Sequence, residues 1–175
     1  MPSQTHYTRT AIVLHWLLAL LIAAGFTLGV TMADMAISPR KLQLFSYHKW
    51  IGITVLGLVA IRLIWRLTHR PPPDLPMPRW QRLAAHATHG LLYLLMLATP
   101  LCGWLYSSAA GYPVVYLKLW RLPDLISKNP AVAKVLVQVH STLGWAMLWV
   151  VTLHVAAALK HHFFDRDATL RRMWN

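Results

Sequence analysis

Four apolar stretches decide what this chain can become: Ala11–Met32, Ser46–Leu67, Leu83–Tyr106 and Val135–Leu159. Each reaches the ~20 residues that an α-helix needs to cross a hydrocarbon core about 30 Å thick. In lipid every backbone polar group must be paired within the segment or a closed barrel, so runs of this length are expected as helices. The lysine and arginines inside them, Lys49, Arg62 and Arg66, lie near a boundary, where long side chains reach the interface. With 57% hydrophobic and 13% charged residues in a chain of 175, the expectation is all-α: one integral membrane domain over 1–175, built as a four-helix bundle.

The net charge of +12 belongs to that frame. Basic residues at membrane edges face anionic lipid, so lipid rather than nucleic acid is the expected partner. Met1–Thr10 has no basic run and no small-residue cleavage site follows, so the first apolar run is expected to stay as a membrane helix. Cys102 is the one cysteine, which excludes an internal disulfide and a thiolate cluster. Both chain ends and the connector between the second and third spans hold ten of the seventeen Lys and Arg; the other side holds seven. By the positive-inside rule both termini are expected in the cytoplasm. The outer side still keeps a net charge of five after Asp34 and Asp124 are subtracted from its seven, more than insertion requires.

Histidine is the polar residue that the spans do carry. His140 and His154 lie fourteen residues apart on the last one. In a helix they point within roughly 40° of each other, ~21 Å apart along the axis. Partners exist at both depths. His15, near the start of the first span, lies toward the inner face with His154; His48, near the start of the second, lies toward the outer face with His140. Gly52 and Gly144 follow His48 and His140 by four residues, one turn along the same face, where a flat macrocycle would lie. Two histidine pairs at two depths suit the axial ligands of two stacked haems. A single membrane histidine, by contrast, serves equally well as a cross-helix hydrogen-bonding group.

Other features carry two readings. Gly25 and Gly29 form a G-x-x-x-G pair, read first as close helix packing and second as room for a macrocycle. Pro100 and Gly103 predict a kink in the third span. Arg62 and Arg66 share a face; they reach the interface or pair with haem carboxylates. His86, His89, Lys160, His161 and His162 gather at the inner edge, either as interfacial polar groups or as a quinone site, since histidine exchanges protons near neutral pH. His6 and His69 read as ordinary polar residues.

With His15-Trp16-Leu17, His48-x-x-x-Gly52, His140, His154 and Lys160-His161-His162-Phe163-Phe164, nearly the whole chain resembles the bacterial cytochrome b561 family. It is more loosely similar to the cytochrome b subunits of formate dehydrogenase and nickel–iron hydrogenase. The resemblance implies two b-type haems held by the four histidines, a bacterial inner-membrane location, quinone chemistry and, in one branch, oxidation of superoxide by ubiquinone.

The rival functions follow. One is an oxidoreductase that takes electrons from superoxide outside and gives them to ubiquinone. Another is an electron-transfer subunit docked to a larger quinone-linked dehydrogenase or hydrogenase. A third is a histidine-lined metal-ion channel. Five Asp and no Glu leave no hydrolytic pattern, so the cofactors are expected to carry the chemistry. In the first reading Lys49 and Lys134, with Lys118, Arg121 and Lys128, attract the superoxide anion. Their alternative is plain contact with lipid and solvent.

Overall fold

The computed structural model describes residues 6–174; the expected character of Met1–Thr5 lies outside the described residues. Four long helices dominate: α1 (Arg9–Ala33), α2 (Pro39–Thr68), α3 (Arg79–Ala110) and α4 (Pro130–Phe163). All four are long and apolar enough to cross a membrane. The chain is an all-α membrane four-helix bundle. A two-residue hairpin, β1 (Val115–Tyr116) paired with β2 (Trp120–Arg121), and a 3-10 turn at Arg171–Met173 complete the order.

The helices outrun the apolar stretches because their ends are set by caps, not by hydrophobicity. Ser38 accepts from the Lys41 amide and Pro39 occupies the first turn, so α2 begins seven residues before Ser46. Asn129 accepts from the Ala131 and Val132 amides ahead of Pro130 in the same way. Such a cap is worth about 1 kcal/mol, and Pro at the first position gives up no hydrogen bond. At the other end of α3, Gly111 takes a left-handed conformation (φ 77°) and its amide closes onto the Ser107 and Ser108 carbonyls.

α1 packs on α2 and α3 on α4, with α2 against α3 joining the two pairs. α4 meets α1 and α2 only weakly along their backbones, among the described residues. At mid-height Leu18, Val55, Val59, Leu95, Met96 and Met147 form the buried core. Met147 stands seven residues from each of His140 and His154, so this core separates the two ends. Outward, Leu20, Ile64, Leu94, Trp149 and Leu153 are exposed. In water such a surface would aggregate; in a bilayer it is the lipid-facing side.

The start of α1 and the end of α4 lie at one end of the bundle, the terminal end. The α1–α2 and α3–α4 connections lie at the other, the hairpin end. There Trp50 donates to the Val115 carbonyl (2.7 Å) and Thr54 pairs with the Tyr116 hydroxyl (2.9 Å), which lays the hairpin against α2. At its tip Leu117 (φ 50°) and Lys118 (φ 62°) are both left-handed, the geometry of a type I′ turn that usually takes Asn-Gly. At roughly 1–2 kcal/mol each, that strain is offset by the contacts with α2.

Candidate haem-binding sites

At the hairpin end, α2 carries His48 and α4 carries His140, with ring centres 5.9 Å apart and planes at 88°. Each ring is held from behind. His48 Nδ1 donates to the Gly25 carbonyl (2.9 Å), and His140 Nδ1 donates to the Thr99 carbonyl (2.9 Å). A carbonyl only accepts, so each Nδ1 carries the proton and each Nε2 keeps its lone pair. Metal-binding imidazoles are commonly fixed in this way by a carbonyl behind them.

Two glycines admit these rings. A Cβ on Gly103 would lie 2.9 Å from His140, and one on Gly29 would lie 3.4 Å from His48. Gly25 does the packing work: a Cβ there would press on Ile51 at 3.2 Å. The G-x-x-x-G pair thus seats α1 on α2 around His48, as its packing reading held. α3 remains helical through Pro100, and Gly103, read from sequence as part of a kink, makes room for a ring. Gly144 faces open space, and a Cβ on Gly52 would make only ordinary contact with Pro100.

At the terminal end, His15 of α1 and His154 of α4 have ring centres 6.1 Å apart, with planes at 66°. A third ring joins them: His89 of α3 lies 5.3 Å from His154. Arg62 donates to His15 Nδ1 (3.3 Å), to the Ala11 carbonyl (2.9 Å) and to the Tyr93 hydroxyl (3.1 Å). Arg66 lies over the Tyr93 ring at 5.9 Å. Arg62, Arg66 and Arg70 line a cleft with Tyr7, Trp65 and Tyr93 that contains no carboxylate.

The two pairs can be tested for fit to a haem iron. A metal bonded at about 2.1 Å by one nitrogen of each ring, from opposite sides, sets ring centres roughly 6 Å apart. The pairs at 5.9 and 6.1 Å meet that spacing. His89 and His154, at 5.3 Å, fall short. Both fitting pairs face across the α4–α1 and α4–α2 gaps, which lie outside the closely packed helix pairs. The open side of Gly144 lies on the same helix.

Residues 6–175 match the prokaryotic cytochrome b561 family. The chain belongs to that family. Among its relatives, cytochrome b561 homolog 2 of Escherichia coli is 35% identical over 161 residues, covering 91% of this chain and 86% of the relative. Cytochrome b561 homolog 1 of the same organism is 30% identical, covering 95% and 96%. A probable superoxide oxidase, CybB, of Yersinia pestis is 31% identical over 170 residues, covering 95% and 94%. As a cytochrome b561 the chain is a multi-pass membrane electron-transfer protein of a family that binds b-type haem.

The terminal-end residues that the sequence grouped at one edge of this cytochrome b561 do not form one cluster. His89 joins the ring group, and His86 pairs with Asp74 (3.0 Å) on the surface. Lys160 pairs with Asp165 (2.6 Å), while His161 Nδ1 lies 3.0 Å from Asp165 and 2.8 Å from Asp167. His162 Nδ1 is buried without a partner. Sequence reading missed the carboxylates and His89's neighbours, because a helical register fixes depth and says nothing of which neighbour a side chain faces. At the hairpin end Lys49 is half-buried and donates to the Tyr112 and Pro113 carbonyls (3.2 and 3.3 Å). Arg121 pairs with Asp124 (3.4 Å). Lys134 is exposed, and the Lys128 stem lies over Gly111.

Proposed function

We propose that the chain holds two b-type haems, one between His48 and His140 and one between His15 and His154, and carries electrons from superoxide to ubiquinone. The observation that carries this is the two imidazole pairs, with ring centres 5.9 and 6.1 Å apart, at opposite ends of one apolar core. Bis-histidine haem supplies one-electron transfer with no coordination site left open for oxygen. The protein's part is positional. Gly25 and Thr99 carbonyls orient the hairpin-end rings, Gly144 leaves a flat group room, and Arg62 and Arg66 stand ready for haem carboxylates.

In this reading both termini face the cytoplasm of a bacterial inner membrane, so the hairpin end faces outward. Superoxide as donor is supported by the Yersinia relative's name and by the outward positive charge. Lys134 is exposed for attraction; Lys49 acts at shorter range while also holding the loop. Ubiquinone is placed at the terminal end, where His161 with Lys160, His162, His86 and His89 offers proton-exchanging groups. The overall balance is two superoxide ions, one quinone and two protons giving two dioxygen molecules and one quinol.

The test is purification followed by a pyridine haem assay and stopped-flow mixing with superoxide. Two haems per chain, reduced by superoxide and reoxidised by a short-chain ubiquinone, are expected. Two intact haems indifferent to superoxide would instead favour a carrier docked to a quinone-linked dehydrogenase or hydrogenase.

A further inference from the structure

The C-terminal segment does not trail away from the bundle. After α4 ends at Phe163 it turns back, with Arg166 left-handed (φ 53°). Trp16 donates to the Met173 carbonyl (2.7 Å) and meets Trp174 edge-on at 5.7 Å. Arg172 donates to the Pro73 carbonyl (2.8 Å), tying the segment to the α2–α3 connector. Trp16 adjoins His15 in the chain and touches its ring (5.4 Å). The tail is therefore a strap across the terminal end.

That strap carries one carboxylate to a specific address. Asp167 Oδ1 accepts from the Thr169 amide (2.7 Å), and the Asp167 amide donates to the His161 carbonyl (3.1 Å). The side chain is thus locked at both ends of its own turn, with Oδ2 left for His161 Nδ1 at 2.8 Å. Asp165 Oδ2 stands 3.0 Å from the same nitrogen and is already paired with Lys160. His161 is mostly covered, its side chain 16% exposed. Burial pushes the Asp167 carboxyl up, but hydrogen bonds from Thr169 and His161 outweigh it and hold the group below its usual range.

We infer that Asp167, brought by the strap and seconded by Asp165, is a positioning residue that fixes the His161 proton on Nδ1 and leaves Nε2 to pass protons to a bound quinone. A carboxylate only accepts, so an imidazole facing two of them at Nδ1 has one usable tautomer. Each quinone needs two protons as it takes two electrons, one from each of two iron(II) centres that become iron(III). The neutral His161 ring takes a solvent proton at Nε2, passes it from the resulting imidazolium to a quinone oxygen and keeps the one on Nδ1, and two such cycles supply the two protons. Lys160 balances Asp165, so the cluster is a hydrogen-bonded relay with its own cation. This inference rests on the quinone placement proposed above.

The experiment uses the full haem-loaded protein with 15N-labelled histidine. The His161 signals are found by difference against His161→Gln. In the native chain the neutral ring is expected as the single tautomer protonated at Nδ1. In Asp165→Asn/Asp167→Asn an amide can donate or accept there, so the signals should move toward a tautomer average. In parallel, dithionite-reduced haems are mixed with a short-chain ubiquinone. His161→Gln and the double Asn variant should each slow reoxidation by about 10–100-fold, Asp167→Asn less so, and Asp167→Glu should recover part of the rate. Unchanged haem spectra establish that each variant is folded. If His161→Gln reoxidises at the native rate, the quinone placement fails and takes the inference with it. If His161→Gln is slow while the double Asn variant keeps both the native rate and the native tautomer, the placement stands and the positioning role is overturned.

Discussion

At the hairpin end, His48 and His140 each give the Nδ1 proton to a backbone carbonyl, and a glycine lies against each ring. At the terminal end, His15 faces the Arg62 guanidinium, and His154 shares its surroundings with His15 and His89. The first arrangement is built from backbone and cannot be altered without moving a helix. The second is built from long side chains that can turn. A guanidinium only donates, so in this structure Arg62 draws the lone pair of His15 Nδ1 and places the ring proton on Nε2. For Nε2 to bind a metal the proton must shift and Arg62 must release the ring, toward the carboxylates of a haem. In the proposed reading the hairpin-end pair is preset for a haem, whereas the terminal-end pair would be rearranged on binding one.

The largest break in that contrast should come from Gly103→Val. Its Cβ would lie 2.9 Å from His140, with Thr99 and the helix backbone fixed behind. The expected result is loss of the hairpin-end haem with the other retained, read as one haem per chain. Arg62→Gln should act at the opposite end only. Partners just behind metal ligands are commonly worth 10–100-fold in metal affinity, so terminal-end haem retention should fall by about tenfold during haem-scavenger competition. A fall at the hairpin end would erase the distinction.

A smaller effect concerns the hairpin-end charges. Lys134→Gln should slow haem reduction by superoxide about two- to fivefold at low salt, and the difference should fade as ionic strength rises. Lys49→Gln should also loosen the Tyr112–Pro113 segment, so its defect should persist in high salt. A rate indifferent to salt and to both charges would remove electrostatic capture. The smallest effect is expected from His89→Leu. Its ring stands 5.3 Å from His154, closer than two rings that flank an iron from opposite sides, so both haems should remain, with at most a slight shift of one absorption band.

Much of the architecture was open to sequence reasoning because it rests on one-dimensional quantities. Apolar length marked out four helices, and residue spacing set the depths of His15, His48, His140 and His154. The same arithmetic was blind to direction around each helix. It therefore put His89 at the right height without its place beside His154, and it read Gly29 as helix packing or macrocycle room and Gly103 as part of a kink, where both lie against imidazole rings. Helix ends ran past the apolar limits because Ser38 and Asn129 cap them in polar surroundings. The hairpin left no trace because Leu117-Lys118 is an unusual pair for two left-handed residues. The strap rests on Trp16 meeting residues 173 and 174, a contact across nearly the whole chain that no local pattern encodes.

The pairing of the histidines is the central claim, and crossed double variants test it most directly. The measurement is haem per chain by pyridine assay in four purified proteins. His48→Ala/His140→Ala and His15→Ala/His154→Ala should each keep one haem, because each removes both ligands of a single site. His15→Ala/His140→Ala and His48→Ala/His154→Ala should keep none, because each removes one ligand from both. Equal haem content in all four proteins would contradict the account.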